Sequence, residues 1–284
     1  MKKLLTLILT LALGLTACLG LTACKEKDAN KPTILTGVEL IKEEYGIAAK
    51  KGNDALISKI NEALIAISND EMKTIANTYG LTSEIAVTSS TTNPLANASD
   101  SSWTNLVSRN KVIIGYTVFA PIAYDVVNNV PTKGYDIELA KAVFDYLNET
   151  YSTQIEVEFL EIQWSAKETL LAGNSIDLVW NGLTITPSRL EEMCISIPYL
   201  NNKQVAITMS KNAEKFATIA AMSDAIMGAE DGSAGEAQIS EKINCKEYIK
   251  CTSQLDAYNK LKTGTLDVIV IDSVMAGYYI SLEE

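Results

Sequence analysis

After residue 103 the chain alternates short apolar runs with amphipathic stretches, and this alternation limits the possible folds more than any other feature. Residues 112–115 and 177–180 have the continuous apolar character of buried strands, whereas residues 136–147 carry apolar side chains at helical spacing. The same alternation resumes near Gln204 and continues to Ile271. Because strands that alternate with helices usually form a mostly parallel sheet covered by helices, we predict an α/β fold.

Residues 31–80 carry a further strand and two helices ahead of that region. Residues 45–49 favour a strand, and the apolar side chains that follow Asn53 recur at helical spacing. A second helix is expected to end before Gly80, since glycine commonly follows the last helical residue. Residues 82–102 are rich in Ser, Thr, Asn and Ala and have no apolar stripe, so they predict a flexible linker.

The composition argues against nucleic-acid binding and against most enzymes. The 35 Asp and Glu residues outnumber the 24 Lys and Arg residues, and a net charge of −11 repels nucleic acid and anionic lipid. The chain has no histidine, which removes Ser-His and Cys-His nucleophiles and the commonest metal ligand. No glycine motif for a phosphate or a dinucleotide lies between a strand and a helix. We therefore expect a protein without enzymatic activity, cofactor or metal.

Residues 1–24 are predicted to be an export signal peptide. A basic pair is followed by the apolar run 4–17 and by small residues, an order typical of such signals. Cys18 and Cys24 each end a Leu-Thr-Ala-Cys sequence that resembles the bacterial lipobox, so one of them would become the lipidated N-terminus. The protein would then be held on the outer face of the cell membrane by the polar tether 25–30. An uncleaved anchor is the alternative, because the apolar segment is nearly long enough to span a bilayer of ~30 Å.

Cys245 and Cys251 are close in sequence and belong to a region that is expected to lie outside the cytoplasm. Disulfides form in such oxidising compartments, but sequence spacing alone does not bring two Cα atoms within bonding range. A local disulfide and a pair of free thiols therefore both remain open. Cys194 lies in an apolar context and is expected to be a small buried hydrophobe.

Seven short motifs together resemble the extracellular amino-acid-binding proteins of ATP-driven importers, the two-lobed "Venus flytrap" family. The resemblance covers Trp103 to Glu284 and implies the type II periplasmic-binding-protein fold, in which two α/β lobes close around a ligand. The motifs are FAP at 119–121, GYDIELA at 134–140, QW at 163–164, NGLTITPSR at 181–189, PY at 198–199, GSAGE at 232–236 and IDS at 271–273.

The order of the elements differs from the order in that family. The strand and helices that resemble residues 43–80 come last in the family, after the segment that resembles residues 272–284, but here they come first. We therefore interpret the chain as circularly permuted; a truncated tandem copy, or a segment that completes another molecule by swapping, is the alternative. The permuted interpretation assigns 46–80 and 103–203 to lobe 1, 31–44 and 207–284 to lobe 2, and two crossing segments near 45–48 and 204–207.

A buried zwitterionic amino acid needs a fixed cation for its carboxylate and a fixed anion for its ammonium group, because an unpaired buried charge is costly. Arg189 is the expected cation, since a guanidinium binds a carboxylate through two parallel hydrogen bonds. The resemblance implies that Asp272 is the anion. It also implies that the Gly182 carbonyl and the Thr184 hydroxyl accept hydrogen bonds from the ammonium group, and that the Thr184 N–H binds the carboxylate.

The resemblance implies further contacts around the ligand. Backbone N–H groups at Ser233 and Ala234, where a glycine-flanked turn opens a helix, would complete the carboxylate site. Phe119 and Trp164 would hold the aliphatic part of the ligand between two aromatic rings. Asn181 would lie in the wall of lobe 1.

These residues imply a monomeric solute-binding lipoprotein that captures a free amino acid and delivers it to an ABC permease in the membrane. Trp180 is expected to pack in the core. Tyr116 stands near a position that is often acidic in cation-selective relatives, which favours an uncharged polar amino acid. A ligand-sensing module that acts through a partner is an alternative, and a flytrap-fold lyase is the least favoured one.

Overall fold

The computed structural model describes residues 29–283, so the expected signal peptide, both lipobox cysteines and most of the tether lie outside the described residues. Within the described range, no helix has the length and apolar character needed to cross a membrane.

The strands are β1 (Pro32–Ile34), β2 (Lys42–Lys50), β3 (Lys111–Tyr116), β4 (Tyr124–Val127), β5 (Val130–Lys133), β6 (Glu156–Glu161), β7 (Leu178–Thr184), β8 (Met193–Ile195), β9 (Leu200–Met209), β10 (Ile226–Glu230), β11 (Glu247–Cys251) and β12 (Val268–Asp272). The helices are α1 (Asp54–Ile67), α2 (Glu71–Thr78), α3 (Ser102–Arg109), α4 (Tyr135–Tyr151), α5 (Lys167–Ala172), α6 (Pro187–Glu192), α7 (Ala234–Lys242), α8 (Gln254–Lys262) and α9 (Ser273–Ser281).

The strands form two sheet halves in the order β11-β10-β12-β9-β2-β7-β3-β6, with β1 beside β9 and β8 beside β2. In the half that we call lobe 1, β3 is parallel to both β6 and β7. In the other half, lobe 2, β10 is parallel to both β11 and β12. The expected mostly parallel arrangement is thus present in each lobe, whereas β2 and β9 run antiparallel to their neighbours.

Two continuous strands connect the lobes. Residues 200–203 of β9 pair with β2, and residues 204–209 pair with β12 and β1. Strand β2 changes partner at Tyr45, from β9 to β7. The connection therefore lies beside the two segments that the sequence indicated as crossing between the lobes.

The first helices follow the expected pattern. The apolar stripe of α1, which includes Ile57, Ile60 and Leu64, is fully buried, and α1 packs between β2 and α4. Helix α2 ends at Thr78, and Gly80 has a φ of +70°, a left-handed conformation that glycine adopts without steric cost. The helical spacing and the glycine terminator seen in the sequence are both confirmed.

Residues 82–102 pack along lobe 1 instead of forming the flexible linker that their composition suggested. Val87 is buried, and the Ala86 N–H donates to the Tyr199 carbonyl. The Asn93 side chain donates to the Ser58 carbonyl of α1 at 2.9 Å. The segment is therefore held by a few buried contacts and side-chain hydrogen bonds, which composition does not indicate.

Cys245 and Cys251 are free thiols, so the disulfide left open by the sequence is not formed. Cys251 packs into the core on the face of lobe 2 that contains Ile269, whereas Cys245 packs against the cluster that contains Val268. Successive residues of a strand point to opposite faces of the sheet. The two sulfur atoms are consequently directed into different hydrophobic clusters. Cys194 is buried and free, as expected.

Candidate functional site

One cavity between the lobes is lined by all nine residues that were expected to contact the ligand. Its volume of about 10 Å³ is close to the space that one water molecule needs, so the lobes are closed against each other. The nine residues are Phe119, Trp164, Asn181, Gly182, Thr184, Arg189, Ser233, Ala234 and Asp272. Four lining residues were not indicated by the sequence analysis: Thr117, Gln204, Glu230 and Gln254.

Arg189 reaches the cavity from α6 and also connects the two lobes. The Thr186 hydroxyl caps this helix by accepting from the Arg189 N–H. The guanidinium donates to the Thr184 carbonyl of lobe 1 at 2.8 Å and to the Gly232 carbonyl of lobe 2 at 3.2 Å. Burial lowers its pKa from the ordinary value, and the nearby Glu168 opposes that shift. An arginine stays charged under such a shift, so Arg189 supplies a buried positive charge.

The first turn of α7 faces Arg189 across the cavity. Ser233 caps this helix by accepting from the Glu236 N–H, and Gly232 before it has a φ of +75°. The Glu236 carboxylate accepts from the Gly232 N–H at 2.6 Å, which fixes the turn. The Ser233 N–H, expected to bind the ligand carboxylate, instead donates to the Glu230 carbonyl at 3.1 Å. Because N–H groups at the start of a helix lack intrahelical acceptors, the Ala234 N–H remains as the group of this turn that suits an anion.

Asp272 lies at the carboxyl end of β12, on the lobe 2 side of the cavity. It precedes α9 but makes no side-chain capping hydrogen bond. Its carboxylate instead accepts from the Tyr45 hydroxyl at 2.6 Å and from the Gln204 amide at 2.9 Å, and also from Asn202 and Gln254. The side chain is thus a buried anion directed at the cavity, and not a helix cap.

Gly182 and two aromatic rings form the lobe 1 wall. Gly182 has a φ of +64°, and a Cβ there would lie 2.9 Å from Phe119 and 3.2 Å from Tyr45. The Gly182 N–H donates to Asp136 at 2.9 Å. Phe119 and Trp164 are both buried beside the cavity. Only glycine permits this close approach of the β7 backbone to the rings.

Comparison with known proteins identifies the family. A family described as bacterial extracellular solute-binding proteins, family 3, matches residues 112–244. A substrate-binding protein of an ABC uptake transporter from Streptococcus pneumoniae, solved with bound histidine, is 31% identical with a TM-score of 0.56. That similarity covers 64% of this chain and 73% of the Streptococcus chain. The chain belongs to the family 3 solute-binding proteins.

Other relatives of this family 3 chain bind amino acids according to their names. ABC transporter arginine-binding protein 1 of Escherichia coli K12 is 24% identical over 170 residues, which are 60% of this chain and 66% of the relative. The arginine-binding extracellular protein ArtP of Bacillus subtilis 168 is 24% identical over 62% of this chain and 67% of its own. The chain thus spans about two thirds of the length of its curated relatives. Its fold is the two-lobed type II arrangement of the family.

Glu43 is a second carboxylate beside Asp272 that the sequence analysis missed. It accepts from Asn202 at 2.6 Å, from Gln204 at 2.7 Å and from the Thr184 hydroxyl at 3.1 Å. Burial, and then the charge of Asp272, raises the pKa of Glu43 to about 8. Because Asp272 has more donors, we assign the negative charge of the pair to Asp272 and a proton to Glu43 at neutral pH.

Glu230 is a third carboxylate of this family 3 protein, at the carboxyl end of β10. Burial raises its pKa to about 8, the Asp272 charge adds to the shift, and Lys167 opposes it. Ligands bind at the carboxyl ends of parallel strands. A charged residue at the end of a buried strand and just before a glycine turn could therefore have been predicted from the sequence as a site residue.

Two aromatic residues lie away from the cavity lining. Trp180 is buried and packs against Tyr199, with ring centroids 6.3 Å apart. Tyr116 is also buried, and its ring packs edge-on against Phe159. Tyr116 is therefore not among the residues that line the cavity, and the expected uncharged side chain of the ligand stays a prediction.

Proposed function

We propose that the protein captures a free amino acid between its lobes and releases it chemically unchanged. The observation that carries this proposal is that Arg189 and Asp272 bring a buried cation and a buried anion to one cavity from opposite lobes. These are the two charges that an amino acid zwitterion needs when it leaves water. The histidine bound to the Streptococcus protein and the arginine named for two relatives support an amino acid as the ligand class.

The geometry supports one orientation of the ligand. Its carboxylate would lie between Arg189 and the first turn of α7, where it would accept from the Ala234 backbone N–H. Its ammonium group would donate to Asp272 and to the Gly182 carbonyl. The carbon chain would lie between the aromatic side chains of lobe 1 and the loop of lobe 2.

Closure and binding are one linked equilibrium in this proposal. Arg189 already donates to carbonyls of both lobes, so the closed arrangement is stabilised by the residue that would hold the ligand carboxylate. A ligand that contacts both lobes favours the closed form by its differential affinity. The closed protein would then present its ligand to an ABC permease, the partner that membership of this family suggests.

The proposal is tested by calorimetry of the purified protein with the twenty free amino acids, followed by mass spectrometry of the bound ligand. We expect tight binding of a small set of amino acids and recovery of each one unchanged after prolonged incubation. Absence of binding to every amino acid would contradict capture. A change of mass in the recovered ligand would show that the carboxyl groups of Glu43 and Glu230 act in a reaction, as the lyase alternative requires.

We also propose that the chain is exported and lipid-anchored through Cys18 or Cys24, which lie outside the described residues. The support is the export signal and the two lipobox sequences. Replacing both cysteines by serine is expected to move the protein from the detergent phase to the aqueous phase, or to leave its precursor uncleaved. A single replacement should retain anchoring if the other cysteine is the modified one. Detergent partitioning that persists in the double variant would favour an uncleaved anchor.

Circular permutation is the third proposal. Strand β2 completes the sheet between β7 and β9 of its own chain, and α9 packs against β1. The last described helix therefore lies beside the first described strand, as a join between the two ends of a permuted sequence requires. The matched regions leave about a third of each curated relative without a counterpart, which a change in chain order explains.

A re-permuted gene tests this proposal. It starts at Trp103, runs to Glu284, continues at Lys31 and stops at Gly80. We expect a monomer with one binding site and unchanged ligand affinity, because the cavity residues keep their places. Stability should fall, since the segment 82–102 contributes buried contacts such as Val87. The fall should be modest, since closing a loop of this kind changes the free energy of folding only slightly. Failure to fold, or a concentration-independent dimer of the natural chain, would favour a truncated tandem or swapping.

A further inference from the structure

Among residues 29–283, three side-chain oxygens at the cavity have no hydrogen-bond partner. They are Asn181 Oδ1, Gln204 Oε1 and Glu230 Oε1, and each atom is buried. The orientation of the Gln204 amide is fixed, because its nitrogen donates to both Glu43 and Asp272. A buried acceptor without a donor destabilises the folded protein, because it has lost its hydrogen bonds to water. The cavity therefore favours a ligand that supplies N–H groups beyond those that its walls provide.

The charged donors near the cavity are already engaged with backbone carbonyls. Arg189 donates to Thr184 and Gly232, and the Lys167 ammonium donates to Trp164 at 3.2 Å and to Gly232 at 3.1 Å. Neither group has a hydrogen bond to Glu230 in the described chain. The Glu230 carboxylate is thus open towards the cavity.

Glu230 lies beside Asp272 at the same edge of the lobe 2 sheet. Strands β10 and β12 are parallel, and Met227 is paired with Val268, so Glu230 and Asp272 end neighbouring strands. One ammonium group has three N–H donors, and Asp272 and the Gly182 carbonyl would use two of them. Asn181 or Gln204 can accept the third, which leaves Glu230 for a second positively charged group.

A cationic side chain would also favour the ionised form of the Glu230 carboxyl, because a nearby opposite charge stabilises a buried carboxylate. The face of Phe119 suits a cationic side chain, because aromatic faces attract cations. The Trp164 ring already has the Lys167 ammonium 4.8 Å from its centroid.

We infer that Glu230, with the amide oxygen of Asn181 or Gln204 that the ammonium group does not use, binds a positively charged side chain, so that the captured amino acid is a basic one. The inference rests on the proposed capture of an amino acid and adds its class. It replaces the expectation of an uncharged polar ligand, which depended on Tyr116, a residue outside the cavity lining.

The experiment compares arginine, lysine and glutamine as ligands in calorimetry. It uses wild-type protein and two variants that each replace one carboxyl group by an amide. We expect wild-type protein to bind arginine or lysine at least about 100-fold more tightly than glutamine. Glu230→Gln should remove this preference by lowering the affinity for the basic ligand about 100-fold or more, since one partner of a buried charge pair is lost. The matched control is Asp231→Asn, because Asp231 pairs with Lys250 at the surface and should leave all three affinities within about threefold.

A third variant protects the test against a folding defect. Glu230→Asp keeps the charge, so we expect it to keep the preference for a basic ligand even if the overall affinity falls. Tighter binding of glutamine than of arginine and lysine by wild-type protein would overturn the inference. An equal loss of affinity for all three ligands in Glu230→Gln would also overturn the inference. Binding of no amino acid by wild-type protein would instead overturn the proposed function itself.

Discussion

Arg189→Ala is expected to abolish measurable amino-acid binding while the protein remains folded. Arg189 is the guanidinium at the cavity, and its loss would leave the ligand carboxylate without a charged partner. Loss of one partner from a buried charge pair costs about 3–5 kcal/mol, which lowers affinity by a few hundredfold or more. Calorimetry with the ligand of the wild-type protein measures this change, and circular dichroism confirms the fold.

The chain offers a matched control for this substitution, because Arg109 is its only other arginine. Arg109 pairs with Asp177 at 2.7 Å, and half of its side chain is exposed. An exposed ion pair contributes about 0–1 kcal/mol, so Arg109→Ala should leave affinity unchanged. Arg189→Lys keeps the charge but loses the planar fork, and we expect an intermediate affinity. Unchanged affinity in Arg189→Ala would show that the carboxylate site lies elsewhere.

Asp272→Asn tests the other end of the proposed ligand from the second lobe. Asparagine has nearly the same shape, so the hydrogen bonds from Tyr45 and Gln204 lose strength without leaving a cavity. The ligand ammonium would lose its anion, and we expect a loss of affinity comparable with that of Arg189→Ala. If only the arginine variant loses binding, the orientation proposed for the ligand is wrong.

The second large effect concerns pH, because the ligand-free protein should lose stability as pH rises from about 5 to about 8. Burial raises the pKa of both Glu43 and Glu230 to about 8 and that of Asp136 to about 7. In the unfolded chain these carboxyl groups lose their protons near their ordinary values of 4.5 for Glu and 3.8 for Asp. At a pH between the unfolded and the folded pKa values, the folded state binds more protons than the unfolded state. The free energy of unfolding therefore falls with rising pH.

Each such group changes the free energy of unfolding by about 1.4 kcal/mol per pH unit while the two states differ by one proton. We expect a total loss on the order of 3 kcal/mol or more between pH 5 and pH 8, measured by urea unfolding at each pH. Glu230→Gln removes one titrating group, so it should flatten the slope and stabilise the protein at pH 8. A stability that stays constant or rises over this range would contradict the buried, protonated state of these side chains.

The sequence by itself determined the class of fold and most of the candidate site. Apolar runs alternating with helical stripes fixed an α/β fold because each strand and helix must bury its apolar face locally. Arg189 and Asp272 could be named because they belong to short motifs that resemble those of the family, near the carboxyl ends of buried strands. The glycine at position 182 could be named for the same reason, and its left-handed φ shows why the motif needs it.

Only the tertiary structure revealed the acidic character of the site. Glu43 and Glu230 are far apart in the chain, and they meet Asp272 because β2, β9, β10 and β12 are assembled into one sheet region. Alternation along β2 places Glu43 on the same side as Tyr45, but the sequence does not show that this side faces another carboxylate. The free state of Cys245 and Cys251 and the packing of residues 82–102 also depend on contacts between distant parts of the chain. Hydrogen bonds and charge pairs between distant elements depend on how the strands cross, whereas strand and helix formation depends on neighbouring residues.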